Sequence, residues 1–339
     1  MKTDAILKIK QYLNTPQKIV IVPHKNPDGD AIGASLGLFH FLKTQEQNPV
    51  IIAPNDYPEF LKWMPGDSEI LKYDTQTGIC TQLINAATLI FTLDFNALDR
   101  AGDMAPLLDA SKAIKIMIDH HQQPDTYATF MYSDVSMSST CEMVFNFIDM
   151  LAGKQHITAD IATCLYTGIM TDTGSFRFAS TTSQTHRVIA FLMDQGAQNS
   201  AIHNAVMDAN SYNRMQLLGQ ALTNLKLLPE FNTAYITLTQ EELNKHHFQK
   251  GDTEGFVNYA LSLKNVIFAA IFIEDKPNNI IKISLRSKGD FSVNALARTH
   301  FNGGGHTNAA GGKSELNLSE TVEKFISILP AYKDALQND

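Results

Sequence analysis

The chain has 339 residues, with 27 Lys plus Arg against 35 Asp plus Glu, a formal net charge of −8, and 44% hydrophobic residues. At ~150 residues per domain that length favours two domains over one, and the composition is that of a folded globular chain, neither disordered nor membranous. The acid excess argues against duplex DNA, whose non-specific binding is driven by counterion release from a basic surface.

The start, Met1-Lys2-Thr3-Asp4, leads into an amphipathic stretch that does not read as a signal peptide. No apolar run approaches the ~18 to 20 residues of a membrane helix. Cys80, Cys141 and Cys164 lie far apart without paired-thiolate spacing, which excludes a zinc ribbon and fits a reducing cytoplasm. Residues 18–23 (KIVIVP) form a continuous β-branched run, the mark of a strand buried on both faces. A polar loop, 24–30, precedes a helix over 31–45. Short buried strands are expected at 50–53, 88–93 and 113–118. Strands alternating with helices mean βαβ units and a mostly parallel sheet.

From Ser139 the pattern turns helical, with Ser138, Ser139 or Thr140 as N-cap for 141–151 and Thr158 as cap for 159–170. Helices are expected over 185–194, 199–207 and 213–228, the last ending at Pro229. Strands at 234–238, 266–273 and 280–285 then mix with helices at 253–263, 293–301 and from Ser319 onward, a second and smaller α+β domain. The expected boundaries are a first domain at 1–190, a helical linker at 191–229 and a second domain at 230–339. The acid is concentrated early: residues 1–230 hold 16 basic and 23 acidic side chains, residues 231–339 hold 11 and 12.

Three of the first-domain strands are followed by titratable side chains: His24, Asp94, and Asp119-His120-His121. Ligands of an open parallel sheet bind outside the carboxyl ends of its strands. The first loop, His24-Lys25-Asn26-Pro27-Asp28-Gly29-Asp30, adds two carboxylates, and Asp172 closes the helix from 159. Acids converging there would repel one another, so a cation is expected. Oxygen and imidazole donors without thiolate favour Mn²⁺ or Mg²⁺ over structural zinc, with Zn²⁺, Co²⁺ or Fe²⁺ also compatible. Five or six ligands exceed the needs of one ion. Two ions ~3.5 to 4 Å apart, sharing a carboxylate and a hydroxide, serve in-line displacement at phosphorus.

In the second domain, Gly303-Gly304-Gly305-His306 is read as a loop whose backbone N–H groups could approach an anion, and Arg286 as a bidentate phosphate contact. Phe176 or Phe178, beside Arg177, could stack a base, although core packing is the commoner use of such aromatics. His246-His247 is assigned no function. Neither a Walker loop nor a Gly-x-Gly-x-x-Gly after the first strand is present, which removes P-loop and dinucleotide-binding readings.

These residues resemble the DHH phosphoesterases, named for the triplet standing here as Asp119-His120-His121, with a DHHA1 domain marked by Gly303-Gly304-Gly305-His306. In layout the chain is similar to the bifunctional oligoribonucleases that also dephosphorylate 3′-phosphoadenosine 5′-phosphate. The resemblance implies an α/β fold with a mostly parallel sheet, followed by the smaller α+β domain. It implies one Mn²⁺ on His24, Asp28 and Asp94, and another on Asp30, Asp94, His120 and Asp172, with Asp94 as the bridge. Asp119 would then orient an imidazole and His121 would lie near the scissile phosphate. Arg286, Gly304, Gly305 and His306 would hold the substrate's terminal phosphate. The implied protein is a cytoplasmic enzyme using two divalent cations, Mn²⁺ with Mg²⁺ or Co²⁺ as substitutes. Its partners would be short RNA or a nucleotide phosphate, with no duplex DNA, no membrane, and a homodimer among the assemblies allowed. A cyclic dinucleotide phosphodiesterase, a non-catalytic nucleotide sensor and an enzyme of polyphosphate remain the alternatives.

Overall fold

The computed structural model describes residues 1–337, and the chain divides into two units, Met1–Ala209 and Asn210–Asp339. The first unit contains α1 (Thr3–Leu13), β1 (Lys18–Pro23), α2 (Gly29–Thr44), β2 (Asn48–Ala53), β3 (Leu71–Lys72), α3 (Tyr73–Ala86), β4 (Leu89–Leu93), α4 (Ala105–Ala110), β5 (Ile114–Asp119), β6 (Phe130–Ser133), α5 (Thr140–Ala152), α6 (Ala159–Asp172), α7 (Ser183–Asp194) and α8 (Asn199–Val206). Its strands form one parallel sheet in the order β3-β2-β1-β4-β5-β6.

The continuous apolar runs follow from burial on both sides. Alternate residues Ile19, Ile21, Leu89, Phe91, Ile116 and Ile118 pack with α2, α5 and α6, while Val20, Val22 and Ile90 pack with Cys80, Ile84 and Leu108 of α3 and α4. Strand order reverses between β1 and β4, so the connections leaving these neighbours diverge at their carboxyl ends, the place where an open parallel sheet binds its ligands. His24 and Asp94 are the residues that follow those two strands.

Helices α2 and α6 approach unusually closely. Gly29, Gly33 and Gly37 lie at four-residue intervals on α2, and a Cβ on any of them would stand 2.4–2.6 Å from an atom of α6. At Gly33 the obstruction is backbone, the Cys164 carbonyl at 2.6 Å. Gly168 answers from α6, where a Cβ would stand 2.1 Å from the Cys141 sulfur. A ridge at i and i+4 made of glycine lets the α2 backbone meet the α6 backbone at Gly33 and α6 side chains at Gly29 and Gly37.

The second unit contains α9 (Tyr212–Thr223), β7 (Lys226–Leu228), β8 (Thr233–Leu238), α10 (Gln240–Lys245), α11 (Phe256–Leu261), β9 (Phe268–Asp275), β10 (Ile280–Ser287), α12 (Val293–His300), β11 (Gly304–His306), β12 (Ala309–Ser314), α13 (Leu318–Ile328) and α14 (Lys333–Gln337). They build a mixed sheet, β11-β12-β10-β9-β8-β7, in which only β8 and β9 pair in parallel. One core lies between the sheet and α12 and α13, another between β8, β9 and helices α9 and α11. Among the described residues no helix is long and apolar enough to cross a membrane.

Several local expectations are corrected. The helix expected over 213–228 stops at Thr223, where the Asn224 side chain turns to the Thr237 carbonyl (2.9 Å) and Glu242 (2.8 Å); residues 226–228 instead pair with β8. The glycine run is no loop: Gly304–His306 forms the edge strand β11. Strands β3 and β6 carry no apolar run of their own, β3 being two residues long, and escape a periodicity reading. The helix expected at 253–263 is confined to Phe256–Leu261.

The close α2–α6 contact yields a stability test. Gly33→Ala and Gly168→Ala are each expected to lower unfolding free energy by about 1–3 kcal/mol through overpacking, despite the ~1 kcal/mol that alanine gains over glycine in a helix. Adding Cys141→Ala restores part of the loss for Gly168→Ala, whose obstruction is that sulfur, and little for Gly33→Ala, whose obstruction is backbone. Denaturant midpoints of the four variants measure this.

Candidate metal centre

The loop after β1 is shaped before any cation is considered. Asn26 adopts a left-handed backbone (φ 56°) and exchanges hydrogen bonds with Asn55 at 2.7 and 2.9 Å, and the Lys25 N–H donates to the Arg100 carbonyl at 2.7 Å. Asp28 then caps α2, accepting from the Asp30 and Ala31 N–H groups at 3.1 Å each. Helix α2 therefore begins two residues earlier than expected, and Asp30 sits in its first turn, 1% exposed.

Asp30 is held by a second helix. The N–H groups of Thr140 and Cys141, at the start of α5, donate to its two carboxylate oxygens at 2.6 and 2.8 Å, the usual way a helix N-terminus binds an anion. The Thr140 hydroxyl donates to Asp94 Oδ1 at 2.8 Å. Ser139 proves to be the N-cap of α5. Below it Glu142, 2% exposed, accepts from the hydroxyls of Ser138 and of Thr185 (3.0 Å), tying α5 to α7. Thr140, Cys141 and Glu142 were not among the expected site residues. The cap pattern Ser-x-x-Glu is visible at 139–142, but the carboxylate it serves lies 110 residues away.

Asp94 follows β4 with a positive φ of 64° and is 2% exposed. Its Oδ2 stands 3.4 Å from His24 Nε2, and its Oδ1 stands 3.6 Å from His120 Nε2. His24 Nε2 is also 3.8 Å from Asp28, and His120 Nε2 is 3.7 Å from Asp30 and 3.4 Å from Asp172. The expected ligands thus come together as two groups, His24 with Asp28 and Asp94, and His120 with Asp30 and Asp172, which Asp94 joins.

These separations are long for hydrogen bonds and close to the roughly 3.0–3.5 Å between donors that share one cation at ~2.1 Å. On the far side of each ring, His24 Nδ1 contacts the Lys25 carbonyl (2.9 Å) and His120 Nδ1 the Met137 carbonyl (3.2 Å). Such contacts place the proton on Nδ1 and aim the Nε2 lone pair at the carboxylates, as ligating histidines require. Electrostatics agrees. Burial, then the Asp94 and Asp172 charges, drives the Asp30 carboxyl well above its usual range. Burial would raise Asp94 too, but the facing His24, His121 and His120 imidazoles hold it well below. His24, despite burial, is pushed up to about 10 by Asp28 and Asp94. Excess carboxylate among imidazoles is a donor set that fits divalent cations.

In the triplet itself, Asp119 is fully buried and serves His121, accepting from its backbone N–H at 3.1 Å and contacting Nδ1 at 2.7 Å. His120 points its Nε2 into the ligand group instead.

In the second unit, Arg286 and His306 both oppose Ala309, in β10–β12 and β11–β12 respectively. Directly opposed residues share a sheet face, so the guanidinium and imidazole flank one alanine on that face. Gly305 N–H already donates to Asn294 Oδ1 at 3.1 Å, and Gly303 N–H to the Ala297 carbonyl at 3.2 Å. Those two N–H groups therefore do not form the anion cradle expected of a loop. The glycines instead admit close backbone contact, a Cβ on Gly305 standing 2.4 Å from the Ala309 carbonyl.

Residues 18–169 match the DHH family, N-terminal domain, and residues 232–335 match the DHHA1 domain. The chain is 32% identical over 310 residues to the bifunctional oligoribonuclease and PAP phosphatase NrnA of Thermus thermophilus, covering 91% of this chain and 88% of that one. It is 28% identical over 314 residues to the protein of the same name from Bacillus subtilis, covering 92% of each. Among solved structures, an exopolyphosphatase-related protein from Bacteroides fragilis is 43% identical with a TM-score of 0.95, over 99% of this chain and 98% of that one. With these matches over the parallel-sheet unit and the mixed-sheet unit, the chain belongs to the DHH family and carries a DHHA1 domain.

Proposed function

We propose that this protein is a divalent-cation-dependent phosphoesterase that cleaves short oligoribonucleotides and removes the 3′-phosphate of 3′-phosphoadenosine 5′-phosphate. The observation that carries the reading is Asp94, one buried carboxylate whose two oxygens face two separate imidazole–carboxylate groups. The relatives named for oligoribonuclease and PAP phosphatase activity support the choice of substrate.

In this reading His24, Asp28 and Asp94 hold one cation, and Asp30, Asp94, His120 and Asp172 hold the other, with Mn²⁺ as the preferred ion. When bound, such a pair supplies an activated water and neutralises charge developing at phosphorus. The chain's own residues do the rest. Asp119 fixes the His121 ring through Nδ1, leaving Nε2 to hydrogen-bond a phosphate oxygen or to hand a proton to the leaving group. The N-terminus of α5 orients the two Asp30 oxygens without a cationic side chain. In the second unit Arg286 and His306 grip a terminal phosphate, the small Ala309 between them leaving room for it.

Removing the shared carboxylate tests the centre. Asp94→Ala is expected to stay folded, to lose at least one of two bound Mn²⁺ and to lower kcat by about a thousandfold or more. Full Mn²⁺ content with near-normal kcat, from metal analysis and steady-state kinetics, would show that Asp94 is no bridge.

Arg286→Gln and His306→Ala are expected to act on binding. Each raises KM through loss of charge-assisted hydrogen bonds worth ~1.5 to 3 kcal/mol, with Mn²⁺ content unchanged. A loss of metal, or a defect confined to kcat, contradicts the assignment.

Substrate choice is tested with the Mn²⁺-loaded protein on 3′-phosphoadenosine 5′-phosphate, diadenylate, cyclic di-AMP and pyrophosphate. The first two are expected to turn over. Residues 231–339, with 11 basic and 12 acidic side chains, have no charge excess to track a long strand. RNA of two to five nucleotides is therefore expected to exceed a 24-nucleotide strand in kcat/KM by about tenfold, or ~1.4 kcal/mol. Turnover confined to cyclic di-AMP or pyrophosphate, or equal rates on the long strand, overturns the reading.

A further inference from the structure

The turn that leaves α6 is built in a conformation that side-chain-bearing residues seldom adopt. Gly174, Ser175 and Phe176 follow one another at φ 57°, 62° and 66°, and for a residue as bulky as phenylalanine this is an outlier. Thr173, fully buried, holds the turn in place. Its hydroxyl donates to the Ile169 carbonyl (2.6 Å) and accepts from the Phe176 N–H (3.0 Å), while its carbonyl accepts from the N–H groups of Arg177 (3.0 Å) and Phe178 (3.1 Å). The chain is thereby folded back until Phe178 lies beside the peptide that follows Asp172.

The two phenylalanines are sorted by this turn. Phe176 packs against the core, its ring 5.9 Å from those of Tyr166 and His186. Phe178 is left 37% exposed, its ring resting on Gly174, where a Cβ would stand 2.5 Å from a ring atom. Arg177 Nε donates to the Gly174 carbonyl at 2.8 Å, which fixes the guanidinium 5.8 Å from the centre of the Phe178 ring. An exposed aromatic and a guanidinium are thus paired on the turn that directly follows Asp172, one of the residues of the candidate metal centre.

We propose that the Phe178–Arg177 pair is the platform on which the base of a nucleotide substrate stacks. The inference rests on the nucleotide reading above and deepens it by naming the recognised moiety. A phosphate would be met by the guanidinium alone and gains little from an exposed phenyl ring. The π-face of a base gains from both. Because every base has such a face, the platform accepts all four and favours the larger purines. A rigid pair also loses little side-chain freedom when the base arrives.

The test compares 3′-phosphoadenosine 5′-phosphate with the matching abasic ribose 3′,5′-bisphosphate on the Mn²⁺-loaded full chain. Wild type is expected to prefer the base-bearing compound in kcat/KM. Phe178→Leu is expected to shrink that preference about tenfold, mainly through KM, while Phe178→Tyr keeps it within about twofold. A dinucleotide carrying 2-aminopurine is expected to lose fluorescence on binding to wild type, a readout that does not depend on any variant folding. An undiminished preference in folded Phe178→Leu, or no quenching of the bound 2-aminopurine, overturns the platform while leaving the phosphoesterase reading intact. Inactivity of wild type towards every nucleotide in the panel overturns that reading and this one with it.

Discussion

Negative charge gathered where water cannot reach it is the constraint to which the first unit is fitted. Asp30, Asp94 and Asp119 are each at most 2% exposed, and Lys115, the one buried lysine or arginine among the described residues, donates elsewhere, to the Ser111 carbonyl. Carboxylate oxygens in such a place need partners to replace the water they have lost. What holds them is directional: two N–H groups of α5 for Asp30, a threonine hydroxyl and two imidazoles for Asp94, and the ring and backbone of His121 for Asp119. Each donor sits at the end of a strand or the start of a helix. The parallel sheet brings those ends to one edge, and its reversal between β1 and β4 leaves space there for a ligand.

Much of this was legible in the sequence for a simple reason. Strands buried on both faces must be apolar throughout, so KIVIVP and its counterparts announce themselves, and the titratable residue following each one marks the sheet's carboxyl edge. Local signals such as Thr158 as a cap also translate directly, its side chain accepting from the Ile161 N–H. Interactions across long sequence separations did not. Nothing near Asp30 indicates that Thr140 and Cys141 will hold it, and nothing near Asp119 indicates which of two adjacent histidines it serves. Edge strands were missed because their partners, not their own residues, supply most of their order.

The second unit shows the opposite failure. Its glycines read as an anion-binding loop, whereas their work is done in a hairpin. Without side chains, Gly303 and the strand β11 that follows it lie against β12 so closely that a Cβ on Gly303 would stand 1.9 Å from the Gly311 carbonyl. Sequence composition alone does not separate a glycine that bends from a glycine that lets two strands touch. Only the pairing register reveals that Arg286 and His306 stand either side of the same alanine.

The glycine row of α2 carries a consequence beyond packing. Asp30 rides on α2 and Asp172 ends α6, so the distance between these carboxylates is fixed by how near the two helix axes can come. Gly33 meets the Cys164 carbonyl, and Gly29 and Gly37 meet the Thr171 and Leu165 side chains, so there is no room for an added methyl group. Three residues with no side chains act as a gauge for the cavity between two acids. A methyl group inserted there would enlarge that cavity from a distance, and the preference between smaller and larger cations would change without any ligand being altered.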